Sequence, residues 1–130
     1  MLAQSEAFSG FAVPDIAQAQ RFYGETLGLS TEVLDEQNGL MTLHLAGGRD
    51  TLVYRKPDHE PASFTILNWR VDDIDAVVDS LNERGVELQR YEGMEQDEKG
   101  IMRGRAVNRG PDIGWFTDPA GNILSVLQES

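Results

Sequence analysis

One pattern, a strand, a helix and then a run of strands, occurs twice along this chain, and that repetition constrains the fold more than any other feature. In the first copy, Phe8 to Val13 is a short apolar strand stopped by Pro14-Asp15. Asp15 followed by Gln18 has capping-box form, in which the carboxylate accepts from unpaired N–H groups of the first helical turn. The spacing of Ile16, Ala19, Phe22, Tyr23 and Leu27 predicts a helix to about Leu27, with Gly28 where a left-handed stop is wanted. Strands are expected at Thr31 to Leu34, Leu40 to Leu45 and Thr51 to Arg55, turned by Asn38-Gly39 and Gly47-Gly48.

The second copy opens with a strand from Phe64 to Val71, a helix start at Asp72-Asp73, an apolar helix face of Ile74, Val77, Val78 and Leu81, and a stop at Gly85. Further strands are expected at Val86 to Arg90, Arg105 to Arg109, Ile113 to Phe116 and Ile123 to Leu127. Slid against itself, the sequence lays Val13-Pro14-Asp15-Ile16 on Val71-Asp72-Asp73-Ile74, and Leu27-Gly28-Leu29 on Arg84-Gly85-Val86. It also lays Leu52-Val53-Tyr54 on Leu124-Ser125-Val126. The reading is α+β with two paired βαβββ modules, one over about 6–56 and one over about 63–128, joined by a linker at about 57–62 in a single domain of 1–130. An unrelated α+β domain whose strand–helix units look alike is the alternative.

Charge and cysteine content exclude several function classes. With 11 Lys+Arg against 22 Asp+Glu the formal charge is -11, which weighs against nucleic acid or an anionic membrane as partner and suits a neutral or cationic small ligand. There is no Cys, so disulfides, thiolate zinc sites, iron–sulfur clusters and Cys nucleophiles are excluded, and a metal would need His, Asp or Glu. Met1 to Glu6 has no basic or long apolar run, and nowhere do about 18 apolar residues follow one another. A soluble, cytoplasmic protein is expected.

Two stretches resemble a known family. Val13-Pro14-Asp15-Ile16 before Gln20-Arg21-Phe22-Tyr23-Gly24-Glu25-Thr26-Leu27-Gly28-Leu29, and Phe116-Thr117-Asp118-Pro119-Ala120-Gly121-Asn122 before a last strand, are similar to the vicinal oxygen chelate superfamily of glyoxalases, extradiol dioxygenases and bleomycin-resistance proteins. The resemblance covers nearly the whole chain. It implies curved mixed sheets around an open cavity with helices outside, and four metal ligands, two per module, on first and last strands. Those positions fall on Phe8, Ile66, Ser125 and, by the repeat alignment, Val53. Such side chains do not replace the His, Glu or Gln that a hard or borderline cation requires, so no metal and no cofactor is expected. His44 reads as a sheet histidine and His59 as a solvated linker residue, with no H-x-H or H-x-x-x-H pair.

Strand alternation puts Phe8, Gly10 and Ala12 on one concave wall and Ile66, Asn68 and Arg70 on the other, flanked by Thr51, Val53 and Arg55. Counting Asp118 to Asn122 as a hairpin loop sets Trp115 opposite Ser125, so the indole faces the cavity and Trp69, by alternation, the helix layer. This is a mostly apolar pocket with a few polar groups, as small-molecule sites are; the alternative is that these side chains fill a closed core. Tyr91 to Gly104 is the longest irregular segment, read either as a cavity lip where Met94 and Met102 adapt to a ligand or as a solvated loop. No phosphate loop or Ser/His/Asp constellation is evident. The expected function is metal-independent binding and sequestration of a neutral or cationic aromatic compound or antibiotic, in the manner of drug-resistance proteins. A glyoxalase-like lyase or isomerase with a non-standard or metal-free site and a protein–protein module are the alternatives. A homodimer is expected, as an isologous pairing closes sheet edges.

Overall fold

Asp15 starts the first helix as its place before an apolar periodic run demands: its carboxylate accepts from the Gln18 N–H at 3.1 Å in a computed structural model that describes residues 1–130. Asp73 does the same for the second helix, accepting from the Ala76 N–H at 3.1 Å. Both helices stop where glycine permits a left-handed backbone, Gly28 at φ 75° and Gly85 at φ 82°. The chain divides into two units, Met1–Glu60 and Pro61–Ser130, each with one four-stranded mixed sheet, and the fold is α+β.

The first unit holds β1 (Ser9–Val13), α1 (Ile16–Gln20, continued as a π-helical segment Arg21–Thr26), β2 (Ser30–Asp35), β3 (Leu40–Leu45) and β4 (Arg49–Arg55). Its order is β1-β4-β3-β2, with β1 parallel to β4 and the other pairs antiparallel. Phe11 pairs with Val53, which pairs with Met41, and the Phe11 ring lies 5.7 Å from that of fully buried Tyr23. That face is therefore the helix-covered one. Burial of side chains such as Tyr23, Met41, Leu43 and Val53 contributes about 1.5–3 kcal/mol each, and this packing holds α1 in place.

The second unit holds β5 (Thr65–Arg70), α2 (Ile74–Glu83), β6 (Met102–Arg103), β7 (Asp112–Thr117) and β8 (Ile123–Gln128), in the order β5-β8-β7-β6. Arg103, paired with Asp112, reaches Asp75 on α2, and Gln128 on the same face accepts from the Ile74 N–H at 3.0 Å. The Asp112, Gly114 and Phe116 face of β7 thus lies under α2, and Trp69 stacks on Phe116 there at 6.2 Å. No helix is long and apolar enough to cross a membrane.

Two expected strands are absent. Val86 to Arg90 gives one ladder bond, Gln89 N–H to the Trp115 carbonyl, because the Gln89 carbonyl is taken by the Gln96 side chain instead of a neighbouring strand. Arg105 to Arg109 forms a 3-10 turn, Arg105–Val107, closed by Asn108 at φ 56°, since the Gly104 carbonyl accepts from Val107 and Arg109. The ladders also shift the repeat alignment by one. Gly10 pairs with Leu52 while its counterpart Asn68 pairs with Ser125, so Leu52, not Val53, corresponds to Ser125. Matching letters had favoured the neighbouring register.

Candidate functional site

The hairpin between β7 and β8 sets the geometry of the second unit's uncovered face. Asp118 accepts from the N–H groups of Ala120 and Asn122, both at 2.9 Å, and from the Asn122 amide at 2.9 Å. This closed Asx turn fixes the register, and Trp115 falls opposite Ser125. Ser125 pairs in turn with Asn68, so Trp115, Ser125 and Asn68 lie side by side on the face opposite α2. Met102 joins them, because it pairs with Ile113, two residues from Trp115 on the same face.

Within this row the polar groups satisfy each other in a set order. The fully buried Ser125 hydroxyl donates to the Asn68 side-chain carbonyl at 2.5 Å. The Trp115 indole N–H donates to the Thr65 hydroxyl at 3.1 Å, and the Tyr91 ring meets the indole edge-on at 5.8 Å. Thr65 reaches this face because β5 carries a bulge between Thr65 and Leu67, which takes Ile66 out of the ladder and sets Thr65 opposite Ile123. Thr65 and Tyr91 thus join the Trp115 row of this face, and the sequence alone does not place them there. A bulge leaves no sequence signal beyond Phe-Thr-Ile-Leu, and Tyr91 stands at the start of an irregular segment with no pattern to orient it.

Beside Met102 lies an open cleft of about 720 Å³, lined among others by Met94, Ile101, Met102, Val107 and Arg109. Its walls are the segment after Tyr91, and this segment is tied down from Gln96 to Arg103. Asp97 accepts from the N–H groups of Lys99 and Ile101 and from Arg103, and Arg103 makes a two-pronged contact with Asp75 at 2.7 and 3.0 Å. Lys99 bridges Asp75 and Asp79, both at 3.1 Å. The Arg103 guanidinium, then the Lys99 ammonium, hold the Asp75 carboxyl well below the usual carboxylate range. Burial pushes Asp97 up, and the Ile101 N–H, Arg103 and the Lys99 N–H outweigh it, so its carboxyl too is lowered.

In the first unit the uncovered face carries Gly10, Ala12, Leu52 and Tyr54. Phe8 precedes β1 and is 75% exposed. Val53 and Arg55 are on the other side of the sheet from Gly10: Val53 is fully buried on the helix-covered face, and Arg55 covers Gly39 and donates to the Gln37 carbonyl. Buried Thr51 shares that side, so strand parity set from the repeat alignment misplaces all three by one residue. His44 is flanked by Asp50 at 2.9 Å and Glu32 at 3.2 Å, which raise its pKa in that order. Both ring nitrogens are thus turned to carboxylates of the chain and neither is directed at a metal. The four family ligand positions, with the β4 position corrected, hold Phe8, Leu52, Ile66 and Ser125. Three are hydrocarbon side chains and the fourth is a hydroxyl already donated to Asn68, so this donor set does not fit a metal ion.

Solved structures of the same fold include TnmS3, an antibiotic binding protein from a Streptomyces species, at 26% identity and TM-score 0.68, covering 98% of each chain. Another is a member of the glyoxalase/bleomycin resistance protein/dioxygenase superfamily from Sphaerobacter thermophilus, at 22% identity and TM-score 0.67, covering 96% of this chain and 98% of that one. The fosfomycin resistance protein FosX from Listeria monocytogenes shares 10% identity at TM-score 0.70, covering 98% of this chain and 92% of that one. No curated protein matches the sequence. The family model described as Glyoxalase/Bleomycin resistance protein/Dioxygenase superfamily matches residues 7–126, and the chain belongs to that superfamily.

Proposed function

We propose that this protein binds and sequesters a small, partly aromatic compound without the help of a metal. The observation that carries the reading is the aromatic corner of Trp115 and Tyr91 beside the Asn68 and Ser125 pair, on the sheet face opposite α2. An indole offers a flat apolar surface to an aromatic ligand, and such contacts contribute about 1 kcal/mol or more once water is excluded. Met94 and Met102 extend the surface into the cleft with side chains that adapt to irregular shapes. The 26% identity to an antibiotic binding protein supports the same class of function. On this reading the second unit's site comprises Thr65, Asn68, Tyr91, Met94, Met102, Trp115 and Ser125, with Ile66 at its bulge. In the first unit, Phe8 and Gly10 remain candidates, and Leu52 and Tyr54 take the places of Val53 and Arg55.

The test uses a Trp69→Phe variant, in which Trp115 is the one remaining indole. Its emission is followed against a panel of flat aromatic compounds, with elemental analysis of the same sample. A saturable change at micromolar compound, with no metal retained after chelator dialysis, is the expected result. One equivalent of Zn, Ni, Fe or Mn per chain, or an emission indifferent to the whole panel, overturns the proposal.

A further inference from the structure

We infer that the Trp115 site selects ligands carrying a neutral hydrogen-bond acceptor, such as a ring ketone, over cationic or purely hydrocarbon aromatics. The inference rests on the binding reading above and deepens it. It starts from Ser125, which is fully buried and has the Asn68 side chain as its hydrogen-bond partner. A buried hydroxyl proton without an acceptor is costly, so the Asn68 amide must turn its carbonyl to Ser125. The amide NH2 is thereby forced outward, where no group of the chain accepts from it. Exposed Asn68 thus presents a fixed donor on the Trp115 face.

Thr65 adds to the same polarity. Its oxygen receives the Trp115 indole N–H, which leaves the hydroxyl proton as a second donor and removes the indole's own polar group from play. Charge accounting excludes the opposite preference. The protein carries -11 overall, yet the strands of this face contribute a single charged side chain, Arg70, and Glu129 meets it at 2.6 Å. In the adjoining cleft Asp97 is spent on Arg103, and the remaining charged lining residues, Glu95 and Arg109, are one of each sign. The acidity that pointed to a cationic ligand lies elsewhere on the molecule.

Equilibrium dialysis with three flat tricyclic probes tests this: fluoren-9-one, fluorene, which lacks the ketone, and the cation 9-aminoacridine. Wild type is expected to hold fluoren-9-one about tenfold better than fluorene, as one well-placed hydrogen bond gives. Asn68→Asp still accepts from Ser125 but has no outward donor, so it loses that preference and turns to 9-aminoacridine, with its melting temperature checked against wild type. Ser125→Ala frees the amide to rotate and lowers the preference in part. Equal binding of fluorene and fluoren-9-one, or tightest binding of the cation by wild type, overturns the inference while aromatic binding stands. Retention of none of the three counts against the binding reading itself, and the inference falls with it.

Discussion

At the scale of single residues, the two tryptophans separate the proposed binding from stability. Trp115 is on the uncovered face and Trp69 stacks on Phe116 under α2. Trp115→Ala is expected to weaken aromatic binding about fivefold or more, with a smaller loss in melting temperature than Trp69→Ala brings. Trp69→Ala is expected to cost about 3 kcal/mol, the low end for a large buried truncation because the indole is half-exposed. Paired melting and binding curves decide it, and the reverse pattern would show the strand parity to be inverted. A second contrast concerns glycine. A Cβ at Gly104 would meet the carbonyl oxygens of Pro111 at 2.5 Å and Gly110 at 2.9 Å, whereas at Gly114 it would meet the movable tip of Leu88. Gly104→Ala is therefore expected to destabilise by about 2–3 kcal/mol and Gly114→Ala by about 1 kcal/mol, read by denaturant melts. The Trp115 and Ser125 pairing was legible in the sequence, because the Asp-Pro-Ala-Gly-Asn turn fixes it by counting. The partner of Gly10 was not, since similar letters at Leu52-Val53 fit two registers and only the ladder with β1 distinguishes them.

At the scale of elements, strands and helices with their own punctuation were legible and the long loop was not. Asp15, Asp73, Gly28 and Gly85 mark helix ends by local chemistry, and both caps form. The change from α to π geometry at Arg21 has no comparable local signal. The segment from Tyr91 to Gly104 reads from sequence either as a cavity lip or as a solvated loop, but Asp97, Lys99 and Arg103 in it are internal fasteners: Arg90 holds the Asp97 and Glu98 carbonyls, and Arg103 joins Asp97 to Asp75 on α2. A partner 28 residues away in sequence is invisible to pattern. This clasp makes the cleft wall acid-labile. Asp75 and Asp97 have lowered pKa values in the folded chain, so their contribution is complete above the unfolded carboxylate value of about 4 and is lost as pH falls through the lower folded values. Amide protection in 93–104, measured relative to the intrinsic exchange rate at each pH, is expected to fall between about pH 4 and 2, ahead of the β7 and β8 strands. Arg103→Met should bring that loosening to neutral pH by leaving Asp75, Asp97 and Asp112 without their shared cation. Loop protection that is flat with pH in wild type would remove the clasp from the account.

At the scale of the whole molecule, edges and net charge act against each other. Each sheet ends in two strands with an unpaired side, β1 and β2 in one and β5 and β6 in the other, and exposed edges are commonly closed by pairing with a second copy. The apolar Phe8 and Phe64, 75% and 68% exposed, lie just before β1 and β5 and add surface that association would cover. Opposing this, two chains of formal charge -11 repel one another. Salt screens that repulsion over about 10 Å at 0.1 M and about 3 Å at 1 M, while apolar burial does not weaken with salt. The homodimer proposed from the sequence is thus expected to tighten as salt rises, with light scattering at tens of micromolar protein moving toward twice 14.4 kDa between low and moderate ionic strength. An interface built on ion pairs would loosen over the same range instead. A mass that stays monomeric at every salt concentration would leave the edges to be managed by the chain alone and would rule the dimer out.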